Sequence, residues 1–169
     1  MKYAILLFFL LFFVGIIVFE RNHSLQYMVD NSKFKTIEFP KLEKLPLAGQ
    51  CLENKIFKKH VIYFWATWCP TCTADMPKLI EIIKNNSQAF FYLISVDSDM
   101  ILLNKLISQI KPFPENLCFI EGDQGLASSM STYRFPESYI FNEHKKYEQK
   151  LIGSSIVSDK MIQALLKRK

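Results

Sequence analysis

Arginine is scarce in this chain of 169 residues. Of its 21 basic residues only Arg21, Arg134 and Arg168 are arginines. The lysines are scattered, with short clusters at Lys145-Lys146 and Lys167-Arg168-Lys169. A nucleic-acid surface needs a denser basic stripe and more guanidinium groups. The net charge of +5 therefore reads as a solvated surface, and no nucleic-acid partner is expected. Cysteine is absent before Cys51, which excludes a lipid-modified N-terminal cysteine. Internal repeats and low-complexity segments are absent too. What is abundant is apolar character: half of the residues are hydrophobic and 14% aromatic. That is enough to bury the core of one domain with additional segments.

The additional segment lies at the N-terminus. Tyr3 to Phe19 is an apolar run broken by a single glycine. It is long for a signal-peptide core and at the short end for a membrane span. No small-x-small cleavage motif follows; the next residues are Glu20-Arg21-Asn22-His23. An uncleaved signal anchor over residues 1–20 is favoured over a cleaved signal peptide, with residues 21–35 as a polar tether and residues 36–169 as the folded domain. Positive charges do not orient the anchor, because Lys2 on one side faces Arg21, Lys33 and Lys35 on the other.

Within the domain, periodicity predicts alternating strands and helices. Leu42 to Phe57 reads as a short hairpin turning at Leu47-Ala48-Gly49-Gln50. Val61–Ala66 and Ala89–Val96 read as buried strands because their apolar character is continuous. Pro70 to about Asn85 is a helix, with Met76, Leu79, Ile80, Ile82 and Ile83 on its apolar face and Pro77 expected to kink it. Ile101–Ile110 follows as a helix and Leu117–Ile120 as a strand. Gly122-Asp123-Gln124-Gly125 is a turn and Leu126–Tyr133 a short helix. Ser138–Phe141 and Tyr147–Ile152 form a hairpin, and Ser158 caps a last helix. This pattern indicates an α/β domain with a mixed sheet.

The chemistry concentrates in Trp65-Ala66-Thr67-Trp68-Cys69-Pro70-Thr71-Cys72. A pair of cysteines at this spacing is half a zinc site, a structural disulfide or a redox dithiol. Zinc needs four ligands; Cys51 and Cys118 are lone and far apart, and the nearest histidine in sequence, His60, lies across the strand. A bridge over so short a loop stabilises little. A redox dithiol fits better. It sits at a strand-to-helix junction, where the helix dipole and free N–H groups favour the Cys69 thiolate, the form that attacks disulfides. Phe64 and Trp65 read as core and Trp68 as partly exposed beside Cys69. Cys51 and Cys118 are either a structural disulfide or two buried free thiols, the second slightly favoured.

The segment Val61–Cys72 resembles the active site of thioredoxin-like proteins. It is most similar to their membrane-anchored extracytoplasmic branch, the DsbE, ResA and TlpA group that includes cytochrome c maturation reductases. The similarity extends through Asp75-Met76-Pro77, where the group has Glu-x-Pro. It recurs at Arg134-Phe135-Pro136-Glu137-Ser138-Tyr139-Ile140, which resembles the group's Pro-Glu-Thr-Phe-Leu segment. It covers roughly Phe34 to the C-terminus. The resemblance implies a thioredoxin-like α/β fold with a mixed central sheet flanked by helices, preceded here by the N-terminal hairpin and transmembrane anchor.

It also implies roles. Cys69 is the attacking thiolate, exposed at the helix start, and Cys72 the less exposed resolving thiol. Pro70 and Thr71 between them tune the dithiol. Pro136 is a cis-proline beside the dithiol, rather than an ordinary strand-start proline. Phe135 and Trp68 shape what peptide approaches. Asp75 has two readings: a carboxylate that takes and returns a proton during exchange, or a residue placed for helix-dipole electrostatics in the first turn. No metal and no cofactor are implied. The activity implied is thiol:disulfide exchange at the inner membrane, with the domain on the periplasmic or equivalent side. The partners implied are apocytochrome c or its maturation factors as substrate and a membrane carrier of thiol reducing power as donor. Two alternatives differ in role: a general periplasmic disulfide oxidoreductase, isomerase or stress-defence protein, and a copper chaperone. The second is weak, because such chaperones pair their cysteines with a downstream histidine and only His144, in a turn, follows the dithiol.

Overall fold

The computed structural model describes residues 37–42, 46–49, 51, 56–153 and 165. The expected anchor and tether lie outside them, as does the expected last helix apart from Leu165, which is helical.

Among the described residues, and apart from the helical Leu165, nine elements follow one another: β1 (Pro46–Gly49), β2 (Lys59–Trp65), α1 (Pro70–Asn85), β3 (Ala89–Ser95), α2 (Met100–Ser108), β4 (Leu117–Glu121), α3 (Gln124–Ser129), β5 (Glu137–Asn142) and β6 (Tyr147–Ile152). The strands form one sheet in the order β1-β4-β3-β2-β5-β6. Strands β2, β3 and β4 run parallel to one another, whereas β1 pairs antiparallel with β4, β5 with β2 and β6 with β5. The sheet is thus mixed, as the sequence predicts. Every residue of β2 and β3 is buried, which explains their unbroken apolar character: central parallel strands are covered on both faces.

Helix α1 has the predicted bounds. Cys69 is its N-cap, Pro70 occupies the first turn, and Asn86 closes it with its N–H on Ile83 and its amide nitrogen 2.7 Å from the Ile82 carbonyl. The helix runs through Pro77. Its buried face includes Cys72, Met76, Leu79, Ile80 and Ile83.

Two local expectations are corrected. Leu47-Ala48-Gly49 is not a turn but part of the edge strand β1, paired with β4. Gly49 is required there by close approach: a Cβ on it would lie 2.4 Å from the Leu117 carbonyl oxygen, and its φ is +91°. That is a glycine position for a sheet contact, not for a hairpin. Gln124-Gly125 is likewise helical, because Asp123 caps α3 by accepting the Leu126 N–H at 2.6 Å. The helix ends at Ser129, earlier than expected, and Ser131 adopts a positive φ of 58°.

Candidate active site

The parallel pairing of β2 with β3 brings their C-terminal ends together, and the site is built on those ends. Val96 N–H donates to the Trp65 carbonyl at 3.0 Å. The chain then turns, with Cys69 N–H donating to the Ala66 carbonyl at 3.2 Å, and enters α1. Cys69 caps the helix with its own sulfur, which accepts the Cys72 N–H at 3.2 Å. The Thr71 hydroxyl lies 3.3 Å from the same sulfur and donates to it. Cys69 and Cys72 are joined as a disulfide. Once the bridge opens, the two donors and the helix terminus stabilise a thiolate on Cys69. No acidic residue sits in the first turn to oppose it.

Cys69 is not exposed in the way the sequence suggests. It keeps 5% of its surface while Cys72 keeps none. The order of access is as expected, but Cys69 opens to solvent only narrowly. Trp68, beside it, is 58% exposed. Phe64 and Trp65 are fully buried. Pro70 and Thr71 are exposed on the first turn.

The Phe135–Pro136 peptide bond is cis. Pro136 is buried and Phe135 half-buried. Phe135 meets Trp68 edge to face, with ring centroids 5.6 Å apart, so the fold brings the distant Phe135–Pro136 segment to the dithiol loop.

Asp75 lies in the second turn of α1, which removes the first-turn reading of its charge. Its Oδ2 is shut off from solvent and has no hydrogen-bond partner. Burial pushes its carboxyl above the usual carboxylate range, with the Lys78 ammonium pulling the other way. Three residues separate it from Cys72, so both lie on one helix face. The buried Tyr63 hydroxyl, which also lacks a partner, is held protonated by burial and then by the charge of Asp75. Ser138, directly across from Tyr63 in the β2–β5 ladder, carries a second such hydroxyl.

Two features were missed in the sequence. Asp97, just beyond β3, is buried and accepts the Thr67 N–H on both carboxylate oxygens, at 3.0 and 2.9 Å. The only hint is a polar Ser-x-Asp at the end of a buried strand, the place where parallel sheets build sites. The other is a buried ion pair between Glu137 and Lys150, with 2.8 Å between Oε2 and Nζ. Burial pushes the Glu137 carboxyl up and the Lys150 ammonium down, and their mutual contact opposes both.

Cys51 and Cys118 form a disulfide with Cα atoms 4.8 Å apart, so the slightly favoured reading of two free thiols is corrected. Pairing of β1 with β4 sets Gly49 opposite Cys118 and leaves Cys51 in reach. Cys118 lies on β4, two strands from β2, so this bridge is separate from the Cys69–Cys72 site. His144 lies in the β5–β6 turn. That end of β5 pairs with Lys59 at the start of β2, whereas Glu137 pairs with Phe64 near the dithiol. Five residue steps along the strand put His144 roughly 17 Å or more from the cysteines, which leaves the copper-chaperone arrangement without its histidine.

A capping cysteine disulfide-bonded into the first turn of a helix, on a mixed sheet of this order, defines a thioredoxin-like protein. The model of the Redoxin family matches residues 30–160, and the chain belongs to that family. It is 27% identical over 123 residues to the thiol:disulfide interchange protein DsbE of Vibrio cholerae, a match covering 70% of this chain and 64% of that protein. It is 26% identical over 121 residues to the thiol-disulfide oxidoreductase ResA of Bacillus cereus, covering 69% of this chain and 68% of the relative. The crystal structure of a DsbE-type protein from Chlorobium tepidum superposes with a TM-score of 0.56 at 16% identity, over 76% of this chain and 98% of that one. The chain thus spans just under two thirds of the Vibrio relative's length.

Proposed function

We propose that this protein is a membrane-tethered thiol:disulfide oxidoreductase acting outside the cytoplasm, where it reduces polypeptide disulfides. Its substrates would be apocytochrome c or a maturation partner, and a membrane carrier of thiol reducing power would restore its dithiol. The observation that carries the reading is the Cys69 sulfur at the α1 N-terminus, bonded to Cys72 and accepting the Cys72 N–H and the Thr71 hydroxyl. The names of the Vibrio and Bacillus relatives agree with it. The Cys51–Cys118 bridge supports an oxidising compartment, since structural disulfides are rare where thiols are kept reduced. Among the described residues no helix is long and apolar enough to cross a membrane; the tether rests on the apolar run Tyr3–Phe19.

The reaction balances as a two-electron exchange. The Cys69 thiolate attacks one sulfur of the substrate disulfide, and the other leaves as a thiolate that takes a proton. Cys72 loses its proton, attacks the Cys69 sulfur and releases the second substrate thiol. The substrate gains two electrons and two protons, and Cys69 and Cys72 end as a disulfide. Asp75, on the Cys72 face of α1 with its carboxyl shifted upward, is suited to receive the Cys72 proton.

The test is Cys72→Ser in the full chain, recovered from membranes. Partners should accumulate as mixed disulfides through Cys69 and disappear in Cys69→Ser. Recovery of none above the Cys69→Ser background would overturn the proposal. A reduction potential as oxidising as about −120 mV would contradict the reductant role.

A further inference from the structure

Glu137 and Lys150 are both charged and both almost wholly buried, at 0% and 2% exposure. They lie diagonally on the neighbouring strands β5 and β6, where Tyr139 pairs with Lys150. Their remaining bonding capacity goes largely to one segment. Lys150 Nζ donates to the Ser131 carbonyl at 2.6 Å. Glu137 Oε1 accepts the Arg134 N–H at 3.3 Å. The Tyr139 hydroxyl, 3.2 Å from Glu137 Oε2, donates to the Met130 carbonyl at 2.6 Å and lies 2.9 Å from the Thr132 hydroxyl. Residues 130, 131, 132 and 134 are thus hooked in succession to one buried cluster. The N–H groups of 130–132 turn back onto α3, while the carbonyls of 130 and 131 and the amide of 134 rest on these side chains.

What the segment carries is Tyr133, Phe135 and Pro136. Tyr133 is 56% exposed and its ring lies 4.7 Å from Lys150 Nζ; Phe135 stands against Trp68. The cluster touches neither cysteine, yet it holds the segment whose Phe135 stands against Trp68, the neighbour of Cys69. An apolar pair could fill the same space. It could not anchor a carbonyl at 131 and an amide at 134 at once, which needs a donor and an acceptor.

We propose that Glu137 and Lys150 are positioning residues that hold the Tyr133–Pro136 segment against Trp68, and that this wall selects polypeptide disulfides over small ones. The proposal rests on the reading of Cys69 as the nucleophile. A small disulfide needs only the sulfur, whereas a polypeptide must also lie along the wall.

The test compares wild type with the apolar double variant Glu137→Leu/Lys150→Met, which removes both anchors, leaves no unpaired buried charge and is first shown to melt cooperatively. Exchange is measured with hydroxyethyl disulfide and with a disulfide-bonded peptide, alongside the reduction potential. The peptide kcat/KM should fall by about tenfold to a hundredfold, mainly through KM, with the hydroxyethyl disulfide rate and the potential unchanged. Equal loss on both substrates, or loss on neither, overturns the proposal. A wild type inactive on both overturns instead the reading of Cys69 beneath it.

Discussion

Thr67 rests on Asp97 through three contacts: its amide reaches both carboxylate oxygens, and its hydroxyl lies 2.5 Å from Oδ1. Ser95 completes the brace, its hydroxyl 2.6 Å from Oδ2. Two residues beyond Thr67 lies Cys69, so the carboxylate of one strand end sets the path of the dithiol loop from the other. Asp97→Ala strands the Thr67 amide and two hydroxyls in a buried place. It should destabilise the domain by about 2–3 kcal/mol and slow alkylation of reduced Cys69. Denaturant melts that match wild type would contradict this.

Thr71 acts on the sulfur directly. Its hydroxyl donates to Cys69, and a donor to sulfur favours the charged form. In Thr71→Val the Cys69 thiol should therefore ionise at higher pH, by about one pH unit. The pH dependence of iodoacetamide labelling of the reduced protein reads this out, and a shift to lower pH would show the hydroxyl has the opposite effect.

Asp75 links pH to stability. Its carboxyl is raised by burial against a weaker pull from Lys78, so the folded state favours the protonated form. The associated stability is fully present below the unfolded carboxylate value of about 3.9 and is lost as pH rises through the higher folded value. Asp75→Asn cannot ionise. In oxidised protein it should match wild type near the acid limit and become the more stable of the two as pH approaches neutrality. Urea melts across that window check the sign; an Asn variant that is less stable at neutral pH would reverse it.

The Cys51–Cys118 bridge closes a loop of 67 residues. Replacing both cysteines with alanine should cost about 2–4 kcal/mol while leaving exchange at Cys69 intact. Loss of exchange in a folded double variant would show that the second bridge belongs to the redox site after all.

The strands and the catalytic helix were legible because their signals are local. Val61–Trp65 and Ala89–Ile94 are continuous apolar runs, and Cys69-Pro70 is a helix start written in adjacent residues. Gly49 misled for a physical reason. Glycine marks a turn and a close sheet contact equally well, and only the position of Leu117 separates them. Asp97 left only the faint trace of a polar Ser-x-Asp at a strand end, and Lys150 left none. A carboxylate that accepts a neighbour's amide, and a lysine buried against a glutamate, resemble ordinary surface residues until their partners are placed.

Sequence alone therefore determined the dithiol, its helix and the order of elements, since each depends on residues within a few positions of one another. Tertiary structure decided what surrounds the dithiol. Parallel pairing of β2 and β3 put Asp97 under Thr67. Antiparallel pairing of β2 and β5 started β5 beside the dithiol end of β2, where Phe135 meets Trp68. Pairing of β1 with β4 joined Cys51 to Cys118. These are contacts between segments tens of residues apart, set by strand register and burial, which no local pattern encodes.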